Sequence, residues 1–173
     1  IYKILRSKIN LISIFCPPKS GSTLLEVLLG SHKLITSIGE RRFDLKRCNC
    51  EKSLYDCNFW KEISSKLPNK NSLEILVDNN DDIKSNKEVF EVMLNYSNSN
   101  FIVESSKSSK FIDKCIKNDH SFNLNIVTLV RDPIDLVQLQ KKKRIINNYK
   151  KGSTIIRTSF FVFLYYLKQL KYL

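Results

Sequence analysis

At 173 residues the chain is long enough for one domain with a sizeable core, and 29 Lys and Arg against 17 Asp and Glu give it a formal net charge of +12. That balance suits a polyanionic ligand and equally suits nucleic acid. The lysines, however, are spread along the chain among Asn and Ile, and the aromatic residues form no RNA-binding motif, so no nucleic acid partner is expected. No stretch is long and apolar enough to span a bilayer, and no secretory signal is visible. Five cysteines are an odd count, with Cys16 and Cys115 in core-like contexts, and the default is a reduced, cytoplasmic chain. The chain begins with Ile1 rather than Met, so a missing front piece is expected.

In chain order, Asn10 to Phe15 reads as a buried strand, and Ser22 to Leu29 as a helix with Leu24, Leu25, Leu28 and Leu29 on one face, ended by Gly30-Ser31. Residues 41–60 form a polar, cysteine-bearing insert. Asn58 to Lys66 and Asn86 to Tyr96 are amphipathic helices separated by a polar segment from Asp78 to Ser85. Phe101 to Glu104 is a short strand, Ser109 to Lys117 a helix, and Leu124 to Val130 a second buried strand. Pro133 to Asn148 is a helix with proline suited to its first turn, and Ile155 to Tyr172 a final helix. Short apolar strands alternating with helices predict an α/β fold, a three-layer single domain over residues 1–173 with a central parallel sheet. In such sheets ligands sit beyond the carboxyl ends of the strands. Lys19, Lys107 and Arg131 each fall at or just after such an end.

The segment Cys16-Pro17-Pro18-Lys19-Ser20-Gly21-Ser22-Thr23 joins the first strand to the first helix and has the makings of a phosphate cradle. Gly21 permits a tight bend and close ligand approach. The amides of Ser22, Thr23 and Leu24 lie in a helical first turn, where they and the helix dipole favour an anion. Lys19 adds a charge, and Ser20, Ser22 and Thr23 add hydroxyls. The alternative is an ordinary strand-to-helix turn. A nucleotide-hydrolase loop would end Gly-Lys-Ser/Thr, whereas here the lysine precedes the only glycine.

That order resembles the 5′-phosphosulfate loop of sulfotransferases, which use 3′-phosphoadenosine 5′-phosphosulfate (PAPS) as sulfuryl donor. Four further segments resemble bacterial-type members related to the tyrosylprotein sulfotransferase branch. Val130-Arg131-Asp132-Pro133 is similar to the 3′-phosphate motif, with Lys143 at the place of a second basic residue and Leu139 where the family has serine. Gly39-Glu40 is similar to the pair whose glutamate is the general base; the alternative for Glu40 is a solvated carboxylate pairing Arg41 or Arg42. Val103-Glu104-Ser105-Ser106-Lys107 is similar to Val-Asp-Ser-Ser-Lys, with Glu104 in place of aspartate and Lys107 facing the donor or acceptor side. Cys48-Asn49-Cys50 and Cys57-Asn58-Phe59-Trp60 resemble a Cys-x-Cys-Gly…Cys-x-Phe-Trp segment.

The resemblance implies a nucleotide-binding fold like that of P-loop proteins and sulfuryl transfer to an acceptor hydroxyl or amine. Lys19, Ser20, Gly21, Ser22 and Thr23 would hold the phosphosulfate, Arg131 and Lys143 the 3′-phosphate, and Glu40 would take the acceptor proton with Lys19 assisting the leaving group. No metal is required by that scheme. For the cysteines, a structural zinc site would want four ligands, and three without a nearby histidine fall short; a Cys50–Cys57 disulfide is the alternative in an oxidising compartment. The segment reads best as a lid or insert anchored by Phe59 and Trp60. Family members run on past the last helix seen here, so a C-terminal segment is expected to be lacking. Two other classes remain: an ATP- and magnesium-dependent kinase, and a non-catalytic module that binds nucleotide or, through its basic surface, nucleic acid. The acceptor, whether carbohydrate, peptide, lipid or metabolite, is not specified.

Overall fold

The order of apolar strands and amphipathic helices is realised in a computed structural model that describes residues 8–40, 48, 50–69, 71–79, 81–118, 120–146 and 154–172, with side chains described outside 140–146, 154–158 and 161. Its elements are β1 (Ile9–Phe15), α1 (Ser22–Gly30), β2 (Ile35–Ser37), α2 (Asn58–Lys66), α3 (Ser72–Asp78), α4 (Ile83–Ser97), β3 (Phe101–Glu104), α5 (Ser109–Lys117), β4 (Phe122–Thr128), α6 (Pro133–Ile146) and α7 (Thr154–Leu170). Among the described residues the four strands form one all-parallel sheet in the order β2-β3-β1-β4. Asn10 stands opposite Phe101 in β3, and Ile9 opposite Phe122 in β4. Because the strands are parallel, the loops after all four leave from the same edge.

β1 is central and buried because both of its neighbours are strands. Successive residues of a strand point to opposite faces, and two core clusters follow from that alternation. Ile9 and Leu11 belong to a large cluster with residues of α2 to α5, including Trp60, Ile63, Phe90, Met93 and Phe111. Ile14, Cys16 and Val103 belong to a smaller one, against which Leu25 and Leu29 of α1 pack. Helices thus cover the sheet on both faces. Asp82 and Ser108 cap α4 and α5, accepting hydrogen bonds from the Ser85 amide at 2.9 Å and the Phe111 amide at 3.1 Å.

Four expectations are corrected. The second expected buried strand is an edge strand that ends at Thr128; only Phe122 of it is buried and Val130 is 72% exposed, since no strand pairs with its outer side among the described residues. β2 and α3 arise in stretches for which no element was expected: β2 is only three residues long and gains its hydrogen bonds from β3. α4 begins at Ile83, three residues earlier than its apolar pattern, because Asp82 caps it there. The face of α1 is rotated: Leu24 is 66% and Leu28 60% exposed, while Ser22 and Glu26 are buried. A stripe of Ser22, Glu26 and Gly30 at four-residue spacing faces the sheet instead. A Cβ on Gly30 would stand 2.7 Å from the Ser37 Cβ, so only glycine lets α1 approach β2 this closely.

Candidate functional site

The carboxyl ends of β2, β3, β1 and β4 carry Gly39-Glu40, Ser105-Ser106-Lys107, the Cys16–Thr23 loop and Arg131. After β1 the chain turns at Pro17, whose carbonyl accepts the Ser20 amide at 3.3 Å. Lys19 (φ 74°) and Gly21 (φ 96°) both take left-handed backbone. For Lys19 that conformation is unfavourable; for Gly21 it costs little. Gly21 is the N-cap of α1 and supplies no side-chain cap, so no capping side chain meets the first-turn amides. A Cβ on Gly21 would meet nothing within 4 Å, which leaves open space over the loop. Lys19 and Thr23 are exposed. Ser20 Oγ is buried and, among the described residues, has only the Cys16 thiol beside it. Ser22 is buried, and its hydroxyl acts on the Cys16 thiol, whose pKa burial pushes up against the influence of Ser22 and of the Lys107 charge. The hydroxyls expected at the cradle therefore divide, with Thr23 outward and Ser22 inward.

Arg131 reaches this loop from the neighbouring strand end. Its Nη1 donates to the Lys19 carbonyl at 3.0 Å. Asp132 Oδ1 accepts the Ile134 and Asp135 amides at 2.7 and 3.2 Å and so caps α6 as expected. α7 returns across this edge. Gln169 Nε2 donates to the carbonyls of Phe15 (3.2 Å) and Leu129 (3.0 Å), and Tyr166 donates to the Arg131 carbonyl. Lys143 lies on α6, and its side chain is outside the described residues, as are Arg41 and Arg42.

On the other side of the cradle, Lys107 donates to Glu40 Oε1. Lys107 has a nearly buried side chain in left-handed backbone (φ 59°), and the Glu40 side chain is 42% exposed. Among the described residues Glu40 thus pairs with Lys107, 67 residues away in sequence. What brings the two together is Glu26. This buried carboxylate accepts the Ser37 hydroxyl at 2.6 Å, the Gly39 amide and the Ser105 hydroxyl. The Ser105 amide donates to the Gly39 carbonyl at 3.1 Å, which zips the two loops past the strand ends. Glu104 has a supporting role: fully buried, it accepts the Ser13 hydroxyl and the Ser106 amide and hydroxyl. Sequence reasoning passed over Glu26, because it falls between leucines. The signal that could have found it is the Ser22/Glu26/Gly30 spacing, small or polar residues on one helical face.

Cys48, Cys50 and Cys57 are free thiols whose sulfurs all lie within 4.8 Å of one another. Phe59 and Trp60 anchor the start of α2 with rings 5.3 Å apart at 80°, Trp60 being in the core. No described helix is long and apolar enough to cross a membrane. No family model matches the chain, and searches of curated proteins and of solved structures return no match.

Proposed function

We propose that the chain binds PAPS at the carboxyl edge of its sheet and transfers the sulfuryl group to an acceptor hydroxyl or amine. The observation that carries the reading is the placement of Lys19, Lys107 and Arg131 after three adjacent parallel strands, around the uncapped N-terminus of α1. An adenosine bisphosphate with a phosphosulfate arm is a polyanion of the kind such an edge favours. The residues present fit it: the buried Ser20 hydroxyl, with only the Cys16 thiol beside it among the described residues, and the open space over Gly21 are what a loop shaped for a bound anion would have. The order Lys-Ser-Gly-Ser-Thr supports phosphosulfate over a nucleoside triphosphate with magnesium.

In this reading the Lys19 ammonium and the first-turn amides of α1 hold the 5′-phosphosulfate and meet the charge that develops on the departing phosphate oxygen. Arg131, with Lys143 by resemblance, holds the 3′-phosphate; its fork can pair two oxygens at once. The donor supplies an activated sulfuryl group, so that an acceptor oxygen–sulfur bond forms while the sulfur–phosphate oxygen bond breaks, releasing 3′-phosphoadenosine 5′-phosphate. Glu40 takes the proton from the acceptor, and Lys107 positions it. The remaining work is alignment of the two reactants.

Calorimetric titration with 3′-phosphoadenosine 5′-phosphate, beside ATP with magnesium, tests the reading. Binding of the bisphosphate that is lost in Lys19→Ala supports it, and donor turnover against panels of carbohydrate, peptide, lipid and small-molecule acceptors then follows. A folded chain that ignores the bisphosphate, or prefers ATP with magnesium, overturns it.

A further inference from the structure

The three cysteines of residues 48–57 are brought together by two successive turns. In the first, the Glu51 amide donates to the Cys48 carbonyl at 2.9 Å and the Cys48 amide to the Lys52 carbonyl at 3.0 Å, with Glu51 in left-handed backbone (φ 66°). In the second, the Cys57 amide donates to the Ser53 carbonyl at 3.1 Å, while Asp56 Oδ2 accepts the Ser53 hydroxyl at 2.6 Å. Leu54 and Trp60, both in the core, pin this second turn. Cys57 is thereby the N-cap of α2, a position with no side-chain cap of its own. The result is a sequence spacing Cys-x-Cys-x6-Cys whose three sulfurs converge on one point.

The surroundings of the sulfurs are those of thiolate ligands. The Cys50 amide faces the Cys48 sulfur, and the Lys52 amide faces the Cys50 sulfur, each two residues on. Amide donors of this kind can hydrogen-bond a metal-bound sulfur and orient it.

We propose that Cys48, Cys50 and Cys57 form a trithiolate site for Zn2+, with the fourth tetrahedral position left to water or an exogenous ligand. Zn–S bonds of about 2.3 Å require sulfurs about 3.8 Å apart, a contraction of about 1 Å from the 4.8 Å limit. Side-chain rotation can supply that. Thiolates select a soft or borderline ion and reject calcium and magnesium, which need oxygen ligands. A disulfide would use two of the three sulfurs and leave the third facing it. Binding releases thiol protons as each Zn–S bond forms, so affinity rises with pH. The ion would tie the chain that departs at Glu40 to the start of α2 and through Trp60 to the core. This site is independent of the donor-binding edge, and either can fail without the other.

The test uses the full chain, reduced and held without oxygen, titrated first with Co2+ as a spectroscopic probe and then with Zn2+. One equivalent of Co2+ with thiolate-to-metal charge-transfer absorption, displaced by Zn2+, is the expected result. Cys50→Ser, at an exposed position, is expected to weaken binding at least about 100-fold without unfolding the chain, and Cys57→Ser likewise. Cys115→Ala, outside the cluster, keeps one equivalent. A folded chain with no charge-transfer absorption overturns the proposal. So does unchanged binding in Cys50→Ser, or a disulfide among the three that persists under reducing conditions and blocks loading.

Discussion

Arg131 Nη1 donates to the Lys19 carbonyl oxygen at 3.0 Å, joining the loop after β1 to the loop after β4. One guanidinium thus does two things. It braces a left-handed lysine in the candidate cradle, and it brings a charge to the carboxyl edge of the sheet. The corresponding brace on the other side is Glu26, which holds the loops of Glu40 and Lys107. The candidate site is therefore built on side chains that stiffen loops as well as on those that would touch a ligand.

Arg131→Ala removes both the brace and the charge. Hydrogen bonds to charged groups contribute about 1.5–3 kcal/mol, so bisphosphate affinity is expected to fall about 10- to 100-fold. Arg131→Lys keeps the charge but loses the fork, and recovers only part of the affinity. Calorimetry on both variants checks this; equal, small losses would make Arg131 a general surface charge.

Glu26→Ala leaves the Ser37 hydroxyl, the Gly39 amide and the Ser105 hydroxyl without their acceptor. A destabilisation of about 2–4 kcal/mol is expected, from unmade buried hydrogen bonds and a cavity. Thermal unfolding should show a fall in Tm of about 2–4 °C per kcal/mol. Glu40→Gln, at the exposed end of the same arrangement, should leave Tm nearly unchanged while abolishing donor turnover. A Glu26→Ala chain as stable as the parent would refute the bracing role.

Two glycine substitutions separate space from backbone. Gly30→Ala forces a Cβ against Ser37 at 2.7 Å, and overpacking of this kind costs about 1–3 kcal/mol. Gly21→Ala meets no atom, so its cost is the left-handed backbone alone, about 1–2 kcal/mol. The distinguishing readout is binding. The methyl of Gly21→Ala points into the open space over the cradle and should reduce bisphosphate affinity more than Gly30→Ala does.

Asp113 accepts from Lys171 Nζ at 2.7 Å through each carboxylate oxygen and from the Tyr172 hydroxyl at 2.9 Å, docking the end of the chain on α5. The Lys171 hydrogen bond holds the Asp113 carboxyl below its ordinary 3.8, with Tyr172 adding to it. A depressed carboxylate contributes stability that is present above 3.8 and lost as pH falls through the lower folded value. The pair is largely solvated, so its effect is small. The Tm gap between the parent and Asp113→Asn should be visible near neutral pH and close as pH drops below 3.8. A gap that persists in acid would assign it to packing instead.

Much of this molecule is legible from its residues alone. The strand Phe101–Glu104 and the helices Asn58–Lys66 and Ser109–Lys117 follow from local periodicity, and Asp132-Pro133 announces the start of α6, because helix caps and apolar spacing act over a few residues. The tight bend at Gly21 and the gathering of basic residues at strand ends were equally readable, since in a parallel sheet the ends of all strands share one edge. Tertiary structure alone decided the rest. Which face of α1 is buried depends on what approaches it, and Ser37, Gly39 and Ser105 draw Glu26 inward while Leu24 and Leu28 face out. That Lys107 pairs with Glu40, that Arg131 touches Lys19, and that three cysteine sulfurs meet are consequences of chain closure over long separations. No local propensity encodes such contacts. They exist because β3 and β4 flank β1 and two tight turns fold the segment before α2 back on itself.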